Sequence, residues 1–276
     1  MKDKILHICE RSTFLEEIIE KYEEVYPGKN IYLVNIDPKI PYNNKGNFDE
    51  NLEAVKQAAY SSSEYKDFLD EAIEESFLAV FHNLGHKYKH EIAKRIKSEI
   101  PMHANLWGWE IYDDQKLRSA FLKLESLRFF NARINKSWKL RLKFWKDSLY
   151  GNKHIAAIAR MSSISTVLKS DYDFLVEQYG ITVPYVPHNY SKISNTFTED
   201  WNEKLSANVL IGNSASYSNN HLDLLNDIDL SIVENSAKVY LPLSYGDDPV
   251  YKESVIKSYR EFFGDKLVVL DQFLPP

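Results

Sequence analysis

This chain of 276 residues predicts an α/β protein with two parallel-sheet halves, and three observations carry the prediction. Short apolar runs alternate with amphipathic stretches along most of the chain, the pattern of strands joined by crossover helices. Residues 1–35 already read strand, helix, strand, and a second such series begins near residue 208, beyond a polar stretch. A composition of 44% hydrophobic and 13% aromatic residues can fill two cores.

The elements follow in order. Residues 4–9 form a first apolar strand. Ser12-Thr13 offers an N-cap to a helix whose apolar positions, Phe14, Leu15, Ile18, Ile19, Tyr22 and Val25, recur at helical spacing until Pro27-Gly28 closes it. Residues 30–35 are the second strand. Residues 37–66 are polar and hold Pro38, Pro41, Asn43, Asn44 and Gly46, which reads as an insertion followed by a helix. A strand over 76–81 ends in His82-Asn83, a helix over 87–100 stops before Pro101, and a strand over 102–107 leads into Gly108-Trp109-Glu110.

Residues 116–153 break this rhythm with a long helical stretch. Lysines and arginines outnumber its acids, Glu125 and Asp147, and Phe129, Phe130, Trp138, Phe144 and Trp145 are interleaved. Segments 155–158, 171–180 and 181–186 complete the layer, and polar residues 188–198 read as a linker. The second series is strand 208–211, a helix from His221, strand 238–243, helix 250–263 and strand 266–270. The expected division is residues 1–190, an N-terminal Rossmann-like domain carrying the basic aromatic segment 116–153, and residues 191–276, a facing C-terminal Rossmann-like domain.

Charge and cysteine usage narrow the function. A net charge of −6 disfavours general nucleic-acid binding, whose footprint is basic. Cys9 is the single cysteine, which excludes an internal disulfide and a cysteine-based metal site and fits a reducing compartment. His86 and His90 are spaced i, i+4 but lack a third ligand, so no metal is expected. Residues 1–10 hold too short an apolar run for a signal peptide, and no run approaches the roughly 20 apolar residues of a membrane span. A cytoplasmic protein is expected.

In open α/β sheets, ligands bind beyond the carboxyl ends of the strands. The chemistry-bearing residues fall there: His82-Asn83, Trp109-Glu110, Gly212-Asn213-Ser214 and Ser244-Tyr245-Gly246-Asp247. The segment 207–225 runs from an apolar strand through a loop rich in Ser and Asn into a helix. Such a loop offers backbone N–H groups and hydroxyls to an anion, which predicts a phosphorylated ligand.

With these motifs the chain resembles the TDP-N-acetylfucosamine:lipid II N-acetylfucosaminyltransferases, the 4-acetamido-4,6-dideoxygalactose transferases of glycosyltransferase family 56. The resemblance rests on Gly212-Asn213-Ser214 with Ser218-Asn219 and His221, and on Leu241-Pro242-Leu243-Ser244-Tyr245-Gly246-Asp247 with Tyr251 and Val255. It also rests on Trp107-Gly108-Trp109-Glu110-Ile111-Tyr112, on Asp171-Tyr172-Asp173 with Tyr179-Gly180, and on His82. It implies a GT-B-like fold of two Rossmann-like domains, with a C-terminal domain shortened at Pro276, and a metal-independent enzyme without cofactor. That enzyme moves an amino-dideoxy sugar from a TDP-sugar donor to a polyprenyl-diphosphate-linked saccharide acceptor at the inner face of the inner membrane.

The residues take these expected roles. Glu110, standing where relatives more often carry Asp, is the first choice for the base that deprotonates the acceptor hydroxyl, with His82 its competitor. Gly212, Asn213, Ser214, Ser218, Asn219, His221, Tyr245, Gly246 and Asp247 bind the donor. Lys136, Trp138, Lys139, Arg141 and Trp145 face the membrane and acceptor, cations meeting anionic headgroups while tryptophans enter the interface. Two other readings are a glycosyltransferase with a different nucleotide-sugar donor, and a non-catalytic binding protein.

Overall fold

The structure, a computed structural model, describes residues 2–12, 14–39, 52–112, 118–139, 141–142, 145, 153–187, 207–212, 214–244, 246 and 248–272. The expected donor residues Asn213, Tyr245 and Asp247 lie outside the described residues. The chain forms two compact units, Met1–Asp113 with Asn152–Ile193, and Asp114–Gly151 with Ser194–Pro276.

In the first unit, β1 (Lys4–Glu10) leads to α1 (Leu15–Val25) and β2 (Asn30–Asn35). Phe14, rather than Ser12 or Thr13, occupies the N-cap of α1 and makes no side-chain cap bond. The helix is held by packing: Leu15 and Ile19 are buried against Cys9, Tyr32 and Val34, each such aliphatic side chain contributing about 1.5–3 kcal/mol. Then come β3 (Val55–Ala58), α2 (Ser63–Glu75), β4 (Ser76–His82), α3 (Lys87–Arg95), β5 (Met102–Leu106) and α4 (Trp109–Tyr112). Sequence reading missed β3, because a four-residue strand inside a polar stretch shows no periodicity. Ser62 caps α2 by accepting the Tyr65 N–H at 3.1 Å.

α5 (Arg118–Phe121) and α6 (Leu124–Asn135) belong to the second unit; α7 (Lys153–Ile158), β6 (Ser163–Thr166) and α8 (Lys169–Tyr179) return to the first. The six strands are parallel in the order β3-β2-β1-β4-β5-β6. Strand order therefore reverses between β1 and β4, the position where a doubly wound sheet opens a ligand crevice.

The second unit contains α5, α6, β7 (Val209–Leu210), α9 (His221–Asp227), α10 (Leu230–Asn235), β8 (Val239–Pro242), α11 (Pro249–Phe263) and β9 (Leu267–Leu270). Its strands are parallel in the order β7-β8-β9. Val239, Leu241 and Leu243 pack with Tyr251, Val255 and Tyr259 of α11 as its core. Tyr251 and Val255, quoted above for the family resemblance, are thus core residues.

The unit boundaries differ from the expected division at residue 190, because residues 114–151 group with the later part of the chain. Three carboxylate and amide contacts explain this. Asp223 accepts the N–H groups of Glu125 and Ser126 at 2.7 and 2.8 Å, capping the N-terminus of α6, and the Asn220 side-chain oxygen accepts the Lys123 N–H at 2.7 Å. The apolar face of α6 then lies on α11 and on the loop after β7, with the Phe129 ring 5.6 Å from Tyr251 and the Phe130 ring 5.1 Å from Tyr217.

Candidate active site

In the first unit, β1 and β4 end at the crevice in Glu10 and His82. His82 lines a cleft of about 50 Å³ walled by Phe14, Tyr22 and Trp107, with Asn105 and Glu17 at its edge. His82 is 4% exposed, and a cleft of this volume admits a hydroxyl-bearing edge of a substrate rather than a whole sugar ring.

Behind His82 runs a buried polar chain that sequence reading did not find. The His82 Nε2 lies 3.1 Å from Nδ1 of His7, and the His7 Nε2 lies 3.1 Å from the side-chain oxygen of Asn30. His7 is fully buried, and that burial pushes its pKa down to about 4. The signal was present in β1: a lone histidine inside Ile5-Leu6-His7-Ile8, a buried run with both sheet faces covered.

Beside it, Glu10 accepts hydrogen bonds from Asn83 at 2.8 Å, Lys89 at 2.9 Å and Tyr88 at 3.2 Å. Lys89 is fully buried and also donates to the His82 carbonyl at 2.6 Å. This ion pair ties the ends of β1 and β4 together and holds His82 at the strand terminus.

Glu110 is fully buried, and burial raises its pKa although the Leu84 and Trp107 amides oppose the rise. Its two carboxylate oxygens accept those N–H groups at 2.9 and 3.1 Å, bracing the loops after β4 and β5. The surrounding motif is built for the same purpose. Gly108 has φ +98°, and a Cβ there would meet the Tyr112 ring at 2.8 Å. The Tyr112 hydroxyl donates to Asp171 at 2.6 Å, and Tyr172 donates to the Val183 carbonyl at 3.0 Å. Asp171 and Tyr172 thus hold the unit together, and Gly180 ends α8 in the left-handed conformation.

In the second unit, the loops after β7 and β8 meet backbone to backbone: a Cβ on Gly246, φ +134°, would lie 2.8 Å from the Ala215 carbonyl. Gly212, φ +72°, covers His221, whose Nε2 would stand 2.6 Å from a Cβ at that position. His221 is fully buried, and among the described residues neither ring nitrogen has a hydrogen-bond partner. Burial alone pushes its pKa down to about 4. Four polar side chains of the loop, Ser214, Ser216, Ser218 and Asn219, bond within it. Asn219 donates to the Ser214 carbonyl at 2.9 Å and to the Ser214 hydroxyl at 2.8 Å, and the Ser216 and Ser218 hydroxyls are 2.8 Å apart. α9 spans only seven residues, so its dipole is short, and the rigid loop itself is the larger feature.

The aromatics of the basic segment divide between two fates. Phe129 and Phe130 pack inside the second unit, as above, whereas Trp138 and Trp145 are 67% and 61% exposed. Trp138, Leu142 and Trp145 lie in helical conformation at i, i+4, i+7, and the Lys139 ammonium sits 5.9 Å from the Trp138 ring. Lys136 and Arg141 are exposed on the same stretch.

No family model and no curated protein matches the chain. Solved structures do match. One is an alpha-glucosyltransferase (AGT) in complex with UDP, with a TM-score of 0.52 at 10% identity over 98% of this chain and 68% of that one. Another is an alpha-glucosyltransferase in complex with UDP-glucose and DNA containing an abasic site, with a TM-score of 0.51 at 11% identity over the same shares. The fold is that of a GT-B glycosyltransferase. The chain has a doubly wound parallel sheet of six strands and a parallel sheet of three, each with candidate residues beyond its strand ends.

Proposed function

We propose that the chain is a glycosyltransferase that displaces a nucleoside diphosphate from a nucleotide sugar with an acceptor hydroxyl. The observation that carries the proposal is His82, a strand-end imidazole in an aromatic-walled cleft at the crevice of the six-stranded sheet. The GT-B fold supports it. In this reading His82 takes the proton of the acceptor hydroxyl, since it lines the cleft, while Glu110 has its oxygens on backbone amides and positions the loops. The loop 212–221 and Gly246 receive the diphosphate in this reading, Gly212 and Gly246 letting the loops pack closely on His221 and on the Ala215 backbone.

For the substrates, the motif resemblance supports a TDP-amino-dideoxy sugar of the N-acetylfucosamine type and a polyprenyl-diphosphate-linked saccharide. The exposed Trp138, Leu142 and Trp145 with Lys136, Lys139 and Arg141 support docking on an anionic membrane surface. A net charge of −6 weighs against DNA as acceptor. The test is transfer from TDP- and UDP-sugars to a lipid-linked saccharide or to duplex DNA, by wild-type protein and by His82→Ala. Loss of transfer in His82→Ala with donor binding retained is expected; wild-type rates in that variant would sink the assignment of the base. Pelleting with anionic vesicles, abolished in Trp138→Ser/Trp145→Ser, is expected; equal pelleting of the variant would refute the docking surface.

A further inference from the structure

We infer that His7, which lies behind the cleft, is a positioning residue that fixes which nitrogen of His82 accepts the proton. The inference rests on the reading of His82 as base, and it follows from tracing donors and acceptors inward.

Asn30 sets the direction. Its amide nitrogen donates to the Tyr26 carbonyl at 2.8 Å, to Oε1 of Glu23 at 2.8 Å and to the Tyr22 carbonyl at 3.2 Å. All three partners are acceptors, so the atom among them is the nitrogen, and the atom 3.1 Å from His7 Nε2 is the oxygen. An amide oxygen only accepts, so His7 carries its hydrogen on Nε2. Burial keeps His7 neutral, which leaves a lone pair on its Nδ1. That lone pair is 3.1 Å from His82 Nε2, which must therefore bear a hydrogen. In neutral His82 the lone pair then sits on Nδ1.

The rings around His7 hold its orientation, so that Nε2 stays toward Asn30 and Nδ1 toward His82. It stacks on Tyr32 with centroids 4.7 Å apart at 19°, and Tyr22 meets it edge-on at 4.3 Å and 66°. During transfer the acceptor oxygen bonds the anomeric carbon as the bond from that carbon to the diphosphate oxygen breaks. The hydroxyl proton passes to His82 Nδ1. The imidazolium so formed keeps its Nε2 hydrogen on His7, whose own hydrogen is already committed to Asn30. No proton travels along the chain; it orients His82 and receives the growing positive charge with an acceptor.

The test uses the full chain labelled with nitrogen-15 in histidine. At neutral pH, His7 and His82 are expected to carry hydrogen on Nε2, and a His82 signal with hydrogen on Nδ1 overturns the inference with no variant and no turnover required. In His7→Phe the acceptor is gone, so His82 populates both tautomers, and kcat falls roughly 10- to 100-fold, the range for lost outer-shell orientation, with KM for the nucleotide sugar unchanged. An unchanged kcat overturns the role. Asn30→Leu, which frees the His7 tautomer while keeping the ring, carries the same two readouts if His7→Phe does not fold. Failure of the wild-type protein to transfer from any donor overturns the base reading and the role with it, whereas the tautomer measurement stands or falls separately.

Discussion

Gly212→Ala is expected to destabilise the second unit through a clash with one identifiable atom. At φ +72° an L-residue costs about 1–2 kcal/mol relative to glycine. The added Cβ would also lie 2.6 Å from His221 Nε2, inside any real contact distance, and forcing a methyl into a packed site costs about 1–3 kcal/mol. Together the loss is about 2–5 kcal/mol. The two parts separate in a double-mutant cycle. In a His221→Ala background the imidazole is gone, so Gly212→Ala retains only the backbone cost, and the coupling energy is about 1–3 kcal/mol. Because two compact units need not unfold together, the assay is native-state hydrogen exchange of the β8 amides, which reports opening of the second unit by itself. Equal losses in the two backgrounds, within about 0.5 kcal/mol, would refute the proposed packing of Gly212 on His221.

Three further outcomes follow from buried polar groups. His221→Leu should leave the ligand-free second unit as stable or more stable at pH 7, since it removes two unpartnered ring nitrogens, while weakening nucleotide-diphosphate affinity in titration calorimetry; a stability loss above about 2 kcal/mol would show that the imidazole is needed for packing. In the wild-type protein His221 has a folded pKa of about 4 against 6.5 unfolded. The unfolded state therefore binds the extra proton first, and the second unit keeps full stability above about pH 6.5 and loses up to about 3 kcal/mol as pH falls toward 4; His221→Leu should flatten that slope in exchange measurements at pH 7 and pH 5. Asp223→Ala should cost about 1–2 kcal/mol in the second unit by uncapping α6, and unchanged exchange of the α6 amides would refute the cap.

The strand–helix alternation was legible in the sequence because apolar runs of parallel strands stand out against amphipathic helices; β2 was expected at its observed limits, Asn30–Asn35. What the periodicity could not show was partnership over distance. The grouping of residues 114–151 with the second unit depends on Asp223 reaching amides 97 and 98 positions away, and no local pattern encodes that. The same holds for the site. His82 was found from its place after a strand, yet His7 and Asn30, 75 and 23 positions from their bonded partners, became visible only through the sheet register. The loop of Gly212 looked like an open cradle of hydroxyls and amides. Folded, it spends Ser214, Ser218 and Asn219 on its own rigidity.

His7 and His221 show how one physical cause yields two different parts. Both imidazoles are fully buried, and burial holds both near a pKa of 4, so both are neutral at physiological pH. His7 has an acceptor on one nitrogen and a donor on the other, which gives it a defined hydrogen position. His221 has neither, and an unpartnered buried imidazole costs stability that an aliphatic residue would not. Gly212 is required above this imidazole because its φ is +72° and a Cβ there would stand 2.6 Å from the His221 Nε2. In the proposed function the first unit's buried histidine holds His82, the proposed base, in one tautomer. The second unit holds an imidazole with no hydrogen-bond partner among the described residues, beneath the loop proposed to receive the diphosphate.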